Sequence, residues 1–129
     1  MTKDQYNKLS GQILDAALTV HKEMGSGLLE SVYESCLNQE LQLRNIKVKS
    51  QVHTPLFYKG VELNKDYRID ILVENEIIIE IKAVEVILPV HEAQVISYLK
   101  PADKKLGFLI NFNVPLVKNG FKRYINGYI

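Results

Sequence analysis

The chain has 129 residues, 47% of them hydrophobic, with 16 basic and 15 acidic side chains and a formal net charge of +1. That length fits one domain, residues 1–129, able to bury a core without staples, and the charge balance excludes polyanion binding through bulk charge, so any basic surface must be local. A single cysteine, Cys36, excludes a disulfide framework and fits a reducing, cytoplasmic setting; the polar start and the lack of a long apolar run argue against a targeting segment or a membrane span.

From about Asp4 to Met24, the residues Leu9, Ile13, Ala16, Ala17, Val20 and Met24 recur at three- and four-residue steps, which predicts an amphipathic helix ended by Gly25-Ser26-Gly27. A second helix follows, with Leu29, Val32, Tyr33, Cys36, Leu37 and Leu41 as its stripe and Arg44-Asn45 as its exit. Cys36 on that stripe suits a buried thiol better than a nucleophile. Glu30, in the first turn, complements the helix dipole, and His21 and Tyr33 beside the stripes read as core residues. Ile46, Val48, Ser50 and Val52 then alternate with Lys47, Lys49 and Gln51, a strand with one wet face that Pro55 ends or edges. Leu56-Phe57-Tyr58, turning at Lys59-Gly60 into Val61-Glu62-Leu63, predicts a small hairpin.

Arg68 to Val73 and Ile77 to Lys82 flank Glu74-Asn75-Glu76 and read as a second, antiparallel hairpin. Centred on Asn75, it sets Val73 against Ile77, Leu72 against Ile78 and Asp70 against Glu80, with Lys82 on the same face as the two acids. Ile69, Ile71, Val73, Ile77, Ile79 and Ile81 form the opposite face. Leu88-Pro89 opens a short helix that runs to about Lys100. Leu106 to Phe112 is a buried strand, Pro115 and Gly120 bracket a loop, and Phe121 to Ile125 gives a final strand. The order α-α-β-β-β-β-α-β-β predicts an α/β (α+β) fold, a central mixed sheet flanked by helices.

Two carboxylates opposed in a sheet repel each other unless a cation lies between them. Lys82 supplies part of that charge, and a divalent ion could supply the rest, since Mg²⁺ is commonly held by one or two carboxylates together with water and substrate phosphate. The same three residues also fit a structural Asp-Lys-Glu salt bridge, and the pattern leaves both open. His91, Gln94 and Tyr98 share one face of the short helix, either a wall of a site or an ordinary semi-exposed side. Lys47, Lys49, Lys104, Lys105, Lys122 and Arg123 are local cations for phosphate steering or plain surface charges.

Gly27 to Tyr33, G-L-L-E-S-V-Y, resembles the signature of the GxxExxY proteins, a group within the PD-(D/E)XK nuclease superfamily. The similarity continues through the helix of His21, Asp70, Glu80-Ile81-Lys82, the Gln94 helix and Leu109-Ile110-Asn111-Phe112. Ile69 replaces the proline of the superfamily's motif and Ser26 a proline common in relatives; neither change removes a functional group. The resemblance implies a restriction-endonuclease-like core and a metal-dependent nuclease that hydrolyses phosphodiester bonds, in DNA ahead of RNA. It implies that Asp70, Glu80 and the Ile81 carbonyl hold Mg²⁺ or Mn²⁺. Glu30 would reach that ion through water or help hold a second one. Lys82 would position the attacking water, and Gln94 with Tyr98, similar to the QxxxY motif of the exonuclease branch, would orient the strand or the lysine. Lys104, Lys105, Lys122, Arg123 and His91 become the candidate nucleic-acid contacts. The small size leaves substrate selection to a homodimer or a partner protein. The competing expectations are a non-catalytic nucleic-acid- or protein-binding module that keeps the fold, and a hydrolase of a small phosphorylated metabolite.

Overall fold

The computed structural model describes residues 1–129. Helix α1 spans Lys3–Met24 and begins in a reciprocal cap: Gln5 N–H donates to Thr2 Oγ1 at 3.1 Å and Thr2 N–H to Gln5 Oε1 at 2.8 Å. Its exit turns through Gly25 and Gly27, at φ 73° and 93°, backbone angles that side chains resist. Helix α2, Glu30–Leu43, then returns beside α1. Tyr33 fastens the turn, its hydroxyl donating to Gly25 O at 2.6 Å and accepting from Leu28 N–H at 3.1 Å, while its ring stacks on Phe112 at 4.7 Å. Two of the three signature positions of Gly27 to Tyr33 therefore build the connection between the helices.

The sheet has five strands in the order β1-β2-β3-β4-β5: β1 Val48–Tyr58, β2 Val61–Val73, β3 Ile77–Lys82, β4 Leu106–Asn111 and β5 Phe121–Ile125. All neighbours are antiparallel except β3 and β4, which run parallel because helix α3, Pro89–Leu99, carries the chain back between them. The result is a mixed sheet with helices on both faces, the α+β class expected. One face packs against α1 and α2 through Ile13, Leu37, Ile71, Ile79 and Phe108; the other meets α3 through Leu72, Ile78 and Leu99. Gly107 lets α3 lie close, since a Cβ there would stand 3.0 Å from Val95.

Two strand expectations need correction. Pro55 lies within an edge strand, the second of its two expected places, and the small hairpin is not separate: β1 and β2 run continuously past it to a turn at Lys59-Gly60. Because β1 is an edge strand with a bulge between Pro55 and Phe57, the missing proline N–H interrupts little. Ile69 also leaves its expected face. Val48, Ile71 and Val73 pack with the α1–α2 core, whereas Val52, Tyr67 and Ile69 pack on the α3 side, so both strands change faces between one row and the next. The row between them is Gln51 opposite Asp70. Its pairing is missing although Ser50↔Ile71 and Val52↔Ile69 keep one register, and Gln51 stands at φ 54°. A left-handed residue in mid-strand breaks the pleat and lets the outer half of the hairpin rotate about its axis.

Candidate active site

Asp70 lies on this broken row, with neither neighbour paired to it through the backbone. The β2–β3 ladder keeps the expected register at Leu72↔Ile78 and Val73↔Ile77 and stops at Ile71↔Ile79. Where Asp70 and Glu80 would pair next, side chains replace the ladder. Ile81 N–H donates to Asp70 Oδ2 at 2.8 Å, and Asp70 N–H points at Glu80 Oε1 at 3.5 Å. The strands thus part at the two acids, and their carboxyl groups fill the gap.

Glu80 is only 2% exposed. Burial pushes its carboxyl up to about 9 from an ordinary 4.5, helped by the charge and the neighbouring carboxyl of Asp70, and opposed by the Asp70 backbone N–H and, less, by the charge of Lys82. A third acid lies on the Asp70 side of the pair. Glu34, in the second turn of α2, is raised by burial; a hydrogen bond from Gln51 opposes the rise, while the charge of Asp70 and a hydrogen bond with it add to it. Gln51 Nε2 donates to both Glu34 oxygens at 2.6 Å. Lys82 sits two residues past Glu80 and is left out of the ion pairs of the molecule, which are Arg44–Asp15, Arg44–Glu40, His53–Asp66 and Lys122–Glu92. The alternative of a structural Asp-Lys-Glu salt bridge is therefore not what the side chains make.

Beyond Lys82 the chain is clamped. Phe112 N–H donates to Lys82 O at 2.9 Å, and the buried Asn111 side chain accepts from Val84 N–H and Asn113 N–H while donating to Val84 O. On the α3 side, Gln94 Nε2 donates to Tyr98 Oη at 2.7 Å, and the Tyr98 ring stacks on Tyr67 at 4.1 Å. Burial raises the Tyr67 hydroxyl, with the charge of Glu80 adding a smaller part of the rise.

The other sequence candidates scatter. Glu30 occupies the exposed first position of α2, one turn before Glu34 on the same face; the helix passes the acids with its second turn, so Glu34 rather than Glu30 meets Asp70. Lys122 shares a row with Leu109 and Glu80, about 10 Å away across two strand spacings, and its ammonium lies 3.7 Å from Glu92 on α3. Arg123 is on the opposite face, donating to Asn7 Oδ1 of α1 at 3.3 Å. Lys104 and Lys105 precede β4 at its far end, roughly 13 Å or more along the strand from the row of Glu80. His91 caps α3, its Nδ1 accepting from Leu88 N–H at 3.0 Å. Glu34, Gln51 and Tyr67 were not singled out; Glu34 had one legible signal, its place one helical turn after Glu30.

The donor set suits a hard divalent ion. Carboxylates forced together in a poorly solvated gap need positive charge, and oxygen ligands suit hard divalent ions over softer metals. No three acidic, histidine or cysteine side chains already form a cage, so an ion here would take two carboxylates and complete its shell with backbone oxygen and water. The sequence model of the PD-(D/E)XK nuclease superfamily matches residues 7–124. The chain belongs to this superfamily. Its mixed sheet with flanking helices is the restriction-endonuclease-like fold of PD-(D/E)XK proteins, whose nucleases use divalent metals and act on nucleic acid. No curated protein and no solved structure matches the chain.

Proposed function

We propose that this PD-(D/E)XK protein, of the GxxExxY group, is a nuclease that hydrolyses phosphodiester bonds with Mg²⁺ or Mn²⁺, on DNA ahead of RNA. The observation that carries the reading is the parted β2–β3 ladder, where Asp70 and the buried Glu80 converge beside an ion-pair-free Lys82. Asp70, Glu80 and the Ile81 carbonyl would hold the ion, with Glu34 reaching it through a bound water; Glu30, one turn toward solvent, would act only through a longer path of water. A bound ion supplies the charge that lets both acids ionise and polarises a phosphate oxygen. Lys82 positions the attacking water and stabilises charge growing on the phosphoryl oxygens. Gln94 holds the Tyr98 hydroxyl, and the pair orients the nucleic-acid strand at the α3 wall. Among the surface cations, Lys122 is the best placed to meet phosphate, sharing a row with Glu80, and His91 is on the same helix as Gln94. Lys104, Lys105 and Arg123 would contact only a substrate that wraps past the sheet edge. A homodimer or partner protein would add specificity, and light scattering in solution reads the dimer directly.

The test is incubation of single- and double-stranded DNA and RNA with Mg²⁺ or Mn²⁺. Metal-dependent cleavage by the wild type, lost in Asp70→Ala and reduced about a hundredfold or more in Lys82→Ala, supports the reading. Cleavage that survives both substitutions refutes it. One observation favours the non-catalytic alternative: Asp70 Oδ2 is already engaged by Ile81 N–H. A binding module would show no Mn²⁺ affinity, which titration calorimetry measures.

A further inference from the structure

We infer that Gln51 is a positioning residue of the metal site, its amide holding Glu34 beside Asp70. The inference rests on the nuclease reading above and adds to it a residue from an edge strand. Gln51 is neither glycine nor asparagine, yet it stands at φ 54° in the middle of β1, and the row it shares with Asp70 is unpaired. Left-handed backbone is strained for such a side chain and persists only where the surroundings hold it. Here the hold is visible: Nε2 lies 2.6 Å from both oxygens of Glu34.

The chemistry of an amide suits the place. A carboxylate offers about four acceptor positions, so one NH₂ group spanning its oxygens leaves others open for an ion. A lysine or arginine at the same point would bring its own charge and compete with the ion. A neutral donor instead favours the ionised carboxylate and leaves its charge for the metal. The same left-handed turn frees Asp70 from the β1 ladder. One residue therefore serves two of the three acids, Asp70 through its backbone and Glu34 through its amide.

The experiment measures Mn²⁺ affinity by the loss of the free-ion paramagnetic resonance signal, with thermal melting of the metal-free protein alongside. Gln51→Gly keeps the backbone angle without strain and removes the amide; Gln51→Asn tolerates the angle and shortens the reach. Both are expected to raise the Mn²⁺ dissociation constant about tenfold or more with an essentially unchanged melting temperature. Gln51→Gly added to Glu34→Ala is expected to cost nothing beyond Glu34→Ala, because the amide acts through that carboxylate. Wild-type affinity in both single variants, or effects of the two substitutions that simply add, overturns the positioning role while leaving the nuclease reading intact. A wild type that binds no Mn²⁺ overturns the nuclease reading, and the positioning role with it.

Discussion

At the scale of single residues, Glu80 shows what burying an acid beside another acid costs. A carboxyl group 2% exposed and pressed against Asp70 is easier to keep protonated than charged. Its folded value lies above its ordinary one, so the folded protein binds the extra proton; the stability this gives is full below about 4.5 and is lost as pH rises through about 9. Glu80→Gln keeps the shape and removes the charge. Metal-free Glu80→Gln is therefore expected to melt above the wild type at pH 8.5, by about 5 °C or more, with a smaller gap at pH 5.5. Melting curves in a chelator check this, and a gap that is constant across pH would remove burial of the charge as its cause. Glu34 supports a second residue-level expectation. Glu34→Ala should weaken Mn²⁺ binding by about tenfold or more while Glu30→Ala leaves it within about twofold, as calorimetry on the two proteins would show.

At the scale of elements, the clamp after β3 fixes where Lys82 points. Asn111 reaches Val84 and Asn113 through three hydrogen bonds, and Gly120 lies so close to the Asn111 carbonyl that a Cβ would collide with it. Asn111→Leu is expected to destabilise the fold by roughly 1–3 kcal/mol, because backbone groups of a buried segment lose their partners, and denaturant titration measures that loss. The central hairpin was legible in the sequence because its β-branched runs and three-residue loop leave one sensible register, and Leu72↔Ile78 and Val73↔Ile77 follow it. The helices were legible too: the Leu9 to Val20 stripe is the buried stripe of α1. The break at Gln51 and Asp70 was not. Nothing in a glutamine announces a positive φ, and period-2 alternation cannot show two strands changing faces together. The continuous β1 and β2 were hidden as well, since Pro55 reads as a stop unless the strand is known to lie at an edge. Glu34 was missed because the signature drew attention to Glu30, whereas the direction of α2 over the sheet is a tertiary fact.

At the scale of the whole molecule, no helix is long and apolar enough to cross a membrane, and the ordered mass divides unevenly. The sheet around β3 and β4 is buried on both faces, while the outer part of the β1–β2 hairpin carries Phe57, Tyr58 and Val61 into solvent at 61, 63 and 64% exposure. Local opening follows burial. Hydrogen exchange is expected to be about a hundredfold or more faster at residues 56–66 than at residues 77–82 and 106–111; equal protection would mean that something unseen anchors the outer hairpin. The parallel pairing of β3 with β4 has a consequence in time. The acidic hairpin of Asp70 and Glu80 closes across a short loop, but Lys82 is fixed only when Asn111 and Phe112 arrive after the whole of α3. A chain still leaving the ribosome can thus assemble its acids before its lysine is set; on the nuclease reading proposed above, a fragment ending before β4 would leave the nucleic acid around it uncut.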